Sequence, residues 1–143
     1  MKKLVLILFV LAQTSLVMGQ CRSFVKNNCG DAMKGFIPGE SFNAVKLFPG
    51  DQAEVEMTFY SDVDYRLLVC SHENLGDVNF QLVDKEDNVV YDNATKDYSE
   101  FFDFRLEGTR SFMLKIKVPE PEETSSIKPQ GCVAILLGRK LTE

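Results

Sequence analysis

Ala53-Glu54-Val55-Glu56-Met57-Thr58-Phe59-Tyr60 sets Ala53, Val55, Met57 and Phe59 against Glu54, Glu56, Thr58 and Tyr60 in strict alternation. A strand turns successive side chains to opposite faces, so this octet reads as a strand with one buried and one wet face. Pro49, Gly50 and Asp51 just before it are the residue types of a turn. The same period of two returns in Val78, Phe80 and Leu82, in Phe102, Phe104 and Leu106, and in Phe112, Leu114, Ile116 and Val118. Asp84 to Asn88 reads as a tight turn into Val89-Val90-Tyr91, and Gly108-Thr109 as the link from Leu106 to the next strand. Strands are therefore expected near 43–48, 52–60, 64–71, 77–84, 88–92, 100–106, 110–118 and 131–138. Eight short strands with frequent turns make an all-β fold, a two-sheet antiparallel sandwich of jelly-roll-like form.

Two regions depart from this period. Phe24, Val25, Cys29, Ala32, Met33 and Phe36 recur at helical spacing, with Gly30 as a break and Pro38-Gly39 as a stop, so 22–35 reads as one or two short helices. Cys132-Val133-Ala134-Ile135-Leu136-Leu137 is apolar on both parities and should be a central strand. Between Val118 and that strand, residues 119–130 carry three prolines and three glutamates without an apolar period, which reads as a mobile loop.

The chain opens with Lys2-Lys3, an apolar run from Leu4 to Ala12, and a polar stretch closing on Val17-Met18-Gly19. That is the pattern of a secretory signal peptide over residues 1–19, with a mature domain from Gln20 to Glu143 in an oxidising compartment, periplasmic or extracellular. The apolar run falls short of the roughly 20 residues a membrane-spanning helix needs, so no stable insertion is expected after cleavage. The net charge of −5 becomes −7 without Lys2 and Lys3 (14 basic against 21 acidic residues). Such a surface repels phosphate backbones, which argues against nucleic acid as a partner.

Four cysteines, Cys21, Cys29, Cys70 and Cys132, all lie in the mature domain, and an even count in an exported domain implies two disulfides with three possible connectivities. Cys70 and Cys132 both sit in expected buried strands, which makes a Cys70–Cys132 bond the first choice and leaves Cys21 for Cys29. That second bond carries a condition. Eight residues along one continuous helix put the α-carbons roughly 12 Å apart, beyond the disulfide limit of about 7 Å, so either the segment bends or Cys29 pairs elsewhere.

The stretches Phe48-Pro49-Gly50-Asp51, Asp64 to Cys70, Val78 to Asp84 and Gly131-Cys132-Val133-Ala134 resemble those of small exported bacterial proteins of uncharacterised function. The strand order over residues 42–138 is similar to the pre-peptidase C-terminal type of β-sandwich. That resemblance implies a non-catalytic accessory module; such modules are attached to secreted enzymes, whereas this chain is expected to stand alone behind its own leader.

Chemistry is sparsely marked. His72 is the single histidine, and His72-Glu73-Asn74-Leu75-Gly76 lacks the second histidine of a zinc-protease helix. No Gly-x-Ser-x-Gly elbow occurs, and the glycines are dispersed. Cys70 and His72 have the atom types of metal ligands but no paired cysteine motif. Glu100 and Asp103 stand at an odd spacing and point to opposite faces of a strand, while Asp62 and Asp64 fall at a turn, so neither pair reads as a glycosidase dyad. The acidic turn Asp84-Lys85-Glu86-Asp87-Asn88, followed by Asp92-Asn93, offers oxygens to calcium but reads better as a solvated turn. Asn93-Ala94-Thr95 fits the N-glycosylation pattern. No catalytic, cofactor-binding or metal-binding residue is assigned, and no cofactor is expected. The expected function is a non-catalytic binding or structural module for a protein or glycan, with Tyr60, Tyr65, Arg66 and Phe101 as the possible binding surface; the alternative is a small secreted hydrolase or an inhibitor of one.

Overall fold

The computed structural model describes residues 17–40, 42–121 and 127–140. Its strands are β1 (Phe36–Pro38), β2 (Asn43–Leu47), β3 (Gln52–Phe59), β4 (Asp64–Ser71), β5 (Asn79–Val83), β6 (Val89–Asp92), β7 (Phe101–Arg105), β8 (Arg110–Lys117) and β9 (Gly131–Lys140). They form two antiparallel sheets. In the first, β9 is flanked on one side by β2 and β1 and on the other by β4, which pairs with β7; the second runs β3-β8-β5-β6. With β2 to β9 as its eight strands, the chain passes between the sheets in the jelly-roll order. All eight expected strands are present, each within two residues of its expected limits.

The turn before β3 explains why that strand begins where it does. Pro49 and Gly50 occupy its central positions, Gly50 at φ 87°, a conformation glycine adopts without strain. The Asp51 carboxylate accepts from Phe48 N–H at 2.8 Å, and Asp51 N–H donates to Phe48 O at 3.0 Å. The chain is thereby turned from the first sheet into the second.

Between the sheets lies the main core, with Phe59, Phe80, Leu67, Leu82 and Leu114 at its centre. The first sheet has a second apolar face. Leu68 and Cys70 of β4, with Ala134 and Leu136 of β9, pack away from the sandwich against Val25, Cys29 and Met33 of an N-terminal arm. This is why the 132–137 run is apolar on both parities: β9 is covered on both sides, by the second sheet and by the arm.

The arm consists of α1 (Val17–Phe24), a π-helical turn (Val25–Cys29), a bend at Gly30 and a 3₁₀ turn (Asp31–Met33). The break at Gly30 agrees with the sequence reading. β1 does not. Phe36 to Pro38 was expected to close the helical segment, yet it pairs with Gly138 to Lys140 along the edge of β9. An edge strand tolerates Pro38 because one side of it needs no donor. The expected leader falls mostly on residues 1–16, outside the described residues, as do 122–126 in the middle of the expected mobile loop.

The disulfides are Cys21–Cys132 and Cys29–Cys70, which corrects the first-choice pairing of Cys70 with Cys132 and of Cys21 with Cys29. Cys70 and Cys132 do lie on adjacent strands, but Cys70 stands opposite Ala134, two residues out of register with Cys132. Both project from the outer face of the sheet, where the arm meets them. Helical turns run unbroken from Cys21 to Cys29, so those two cannot reach each other and each takes a partner on the sheet.

Candidate functional site

The two lateral edges of the sandwich are built differently. On the β6/β7 side, Tyr91 stacks on Phe102 with ring centroids 3.8 Å apart and an interplanar angle of 19°, bridging the two sheets. The aromatic series continues inward through Phe104 to Phe59 and Tyr65. These rings bridge the sheets there, while Val89 and Val90 of β6 stay exposed and a cavity of about 490 Å3 opens beside Val90 and Leu106. On the β2/β3 side the sheets part, leaving a groove with a cavity volume of about 340 Å3.

Ile135 and Leu137 of β9 lie in this groove, with Met57 and Thr58 of β3 and Phe42 before β2; Tyr60 and Arg139 stand at its mouth. Register places further apolar residues on the same inward face. Val45 is paired with Val133, and Ile37 with Arg139, so both share the inward parity of the core-facing residues of β9. Val45 is 48% exposed and Ile37 47%. Arg139 has the same inward parity, opposite Tyr65 of β4. Among the described residues no carboxylate pairs with it, so a cation stands at the end of an apolar channel.

The four expected binding residues separate into two pairs. Tyr60 and Tyr65 meet at the groove. Tyr65 is only 3% exposed, its ring packs edge-on against Phe59, and its hydroxyl accepts from Tyr60 N–H at 3.1 Å. It is a core residue that positions Tyr60 and presents no surface of its own, which corrects the reading of Tyr65 as part of an exposed surface. Tyr60 is 64% exposed.

Arg66 and Phe101 meet on the outer face of the first sheet. The Arg66 guanidinium lies between the rings of Phe36 and Phe101, 4.4 and 4.2 Å from their centroids. It donates from Nε and Nη2 to the two oxygens of Asp103 at 2.7 and 2.6 Å, and from Nη1 to Ala32 O at 2.7 Å. Hydrogen bonding to Asp103 raises its pKa above the ordinary arginine value, against the opposing effect of burial. Every nitrogen of this guanidinium is engaged, so Arg66 fastens the arm to the sheet. Phe101 keeps one face to solvent.

The other marked residues have local duties. The His72 ring stacks on Phe24 with centroids 5.5 Å apart, and its Nδ1 is enclosed without a partner. Asp62 and Asp64 both face Arg105, at 3.7 and 3.6 Å. The Asp84 carboxylate accepts from the N–H groups of Glu86 and Asn88 and from Asn88 Nδ2. These bonds, that from the Asn88 side chain first, hold its pKa below the usual carboxylate range. The acidic turn is thus tied by its own aspartate, and no group of three or more potential ligands among the described residues is placed to hold a metal.

Asn93 of the glycosylation pattern lies inside the fold. It is 1% exposed and accepts from Phe80 N–H and Asn79 Nδ2 while donating to Val78 O and Ser99 O. Its amide is spent inside the fold and is closed to a glycosylating enzyme. Sequence reasoning missed this role because the pattern Asn-x-Thr looks the same at a buried turn and on a surface loop.

No family model matches the chain, and a search of curated proteins finds no match. Among solved structures it is similar to the crystal structure of Aeromonas hydrophila PliG, a periplasmic lysozyme inhibitor of g-type lysozyme. That likeness has a TM-score of 0.49 and 8% identity, and covers 70% of this chain and 85% of the other.

Proposed function

We propose that this chain is an exported, non-catalytic protein-binding module whose working surface is the open β2/β3 edge. The observation that carries the reading is the groove itself: Phe42, Met57, Ile135 and Leu137 line it with exposed Tyr60 and with Arg139, unpaired among the described residues, and Val45 and Ile37 are exposed on the neighbouring strands of the first sheet. An exposed apolar channel with a cation at its mouth offers burial and one directional charge contact, the usual ingredients of a specific docking site. The signal-peptide pattern and the two disulfides support export, with the mature chain beginning near Gln20. The resemblance to pre-peptidase C-terminal sandwiches fits the same non-catalytic role.

Tethered mature protein should retain a stoichiometric partner from an envelope extract, and Tyr60→Ser with Arg139→Ala should abolish that retention while leaving the circular dichroism spectrum unchanged. Retention unaffected by these changes would place the working surface elsewhere. Inhibition of a secreted hydrolase is the narrower form of this reading, and assays against g-type and other lysozymes test it directly. Hydrolysis by the protein itself, lost on replacing His72, would instead establish an enzyme.

A further inference from the structure

The outer edge of β3 is the longest unpaired strand edge next to the groove. β3 spans Gln52–Phe59 and pairs only with β8, so along its other side the backbone N–H and C=O groups have no strand partner among the described residues. Free edges of this length invite pairing with another chain unless charge or cover prevents it. Here Val55 and Met57 turn toward the core, while Glu54 and Glu56 stand on the solvent face of the edge. Glu54 lies 3.9 Å from Lys115, and Glu56 forms no ion pair among the described residues.

These charges bear on what can add to the edge. A second copy paired antiparallel about Val55 sets Glu54 against Glu56 twice; about Glu56, it sets that carboxylate against its own image. Like charges directly opposite one another destabilise a strand pair, so the edge discriminates against itself. An added strand with lysine or arginine on its outward positions meets both glutamates favourably. Its inward positions fall over the groove, where apolar side chains would cover Val45 and Ile37. An acidic residue at the end nearest Tyr60 would meet Arg139.

Resting on the binding reading above, we infer that the partner is an extended polypeptide segment with alternating apolar and basic residues and an acidic residue at its leading end. It adds antiparallel to β3 as a further strand of the second sheet. Backbone pairing supplies affinity in this mode, and the alternate side chains supply selectivity.

The probe is an acetylated peptide that opens with aspartate and then alternates lysine with valine along a strand the length of β3, so that the aspartate shares the inward parity of the valines. One control shuffles the same residues; a second replaces lysine by glutamate. Fluorescence anisotropy should show the alternating lysine peptide binding at least tenfold tighter than either control. Glu54→Lys with Glu56→Lys should reverse the preference between the lysine and glutamate peptides, and Arg139→Ala should weaken the lysine peptide threefold or more. Amide exchange along β3 should slow on binding. Both glutamates are exposed, so the reversed protein should fold; Glu56→Lys alone, which leaves the Glu54–Lys115 pair in place, is the second variant. Equal binding of ordered and shuffled peptides, or an unaltered preference after charge reversal, overturns strand addition, as does a dimer by sedimentation that occludes β3. If extract capture still depends on Tyr60 while peptide order is immaterial, strand addition fails and the groove reading stands. Loss of both defeats the binding reading itself.

Discussion

Asn93 shows how much one buried amide can hold. Its side chain satisfies the Phe80 N–H and the Val78 carbonyl at the start of β5, and its backbone oxygen accepts from Tyr98 N–H at 3.0 Å. That last bond closes a turn in which Asp97 and Tyr98 both adopt positive φ, 50° and 54°. Asn93→Ala leaves a buried donor and acceptor unpaired, and should cost about 2–4 kcal/mol in urea unfolding. Asp92 beside it illustrates competing effects on one carboxylate. Burial pushes its pKa up, but donors from Gln81, Ala94 N–H and Asn79 together bring it below the ordinary value. A carboxylate with a lowered folded-state pKa binds its proton more readily when unfolded. Its contribution is therefore complete above the ordinary carboxylate pKa near 4 and is lost as pH falls through the lower folded value. Acid unfolding followed by tyrosine fluorescence should begin below about pH 4, and Asp92→Asn should flatten the dependence there while lowering stability at neutral pH.

At the scale of elements, the arm is held by a seam of specific contacts rather than by helix propensity. α1 and the turns after it are too short to persist alone. Arg66 bonds the Ala32 carbonyl while stacked between Phe36 and Phe101, and Arg66→Lys keeps the charge but loses the planar fork. The expected outcome is a loss of about 1–2 kcal/mol, discounted for the half-exposed Asp103 partner. Hydrogen exchange should accelerate over residues 24–33 and not over β8. Gly138 marks the same seam from the other side. A β-carbon there would lie 2.9 Å from Phe36 Cβ and collide with the end of Met33. Gly138→Ala should therefore force the arm outward and loosen the same residues, whereas an alanine at exposed Gly108, where nothing lies within 4 Å, serves as the control.

For the molecule as a whole, two apolar cores share one sheet, and the two disulfides cross only the outer one. Closing 41- and 111-residue separations stabilises the fold by roughly 4 and 5 kcal/mol on the chain-entropy estimate, less when combined because the loops are nested. The sandwich core from Phe59 to Leu114 uses no cysteine. Cys29→Ser with Cys70→Ser should lower stability by about 3–4 kcal/mol and free the arm first, with strand signals in the far-ultraviolet spectrum outlasting arm protection. A non-reducing tryptic digest should join the peptide 27–34 to 67–85; recovery of 67–85 joined to the peptide bearing Cys132 would contradict the observed connectivity.

Alternation of apolar and polar residues determined nearly all of the sandwich. Strand period, turn chemistry at Pro49-Gly50 and the doubly apolar 132–137 run are local properties, and each reports which faces are buried. Distance along a helix likewise told that Cys21 and Cys29 could bond only across a bend. Tertiary structure decided the rest, because it depends on register between residues far apart in the chain. The offset of Cys70 from Cys132, the pairing of Phe36–Pro38 with the end of β9, and the burial of Asn93 follow from which strands lie side by side. So does the open edge. Val45 and Ile37 share the inward parity of the core residues of β9, and only the fold shows that they face solvent.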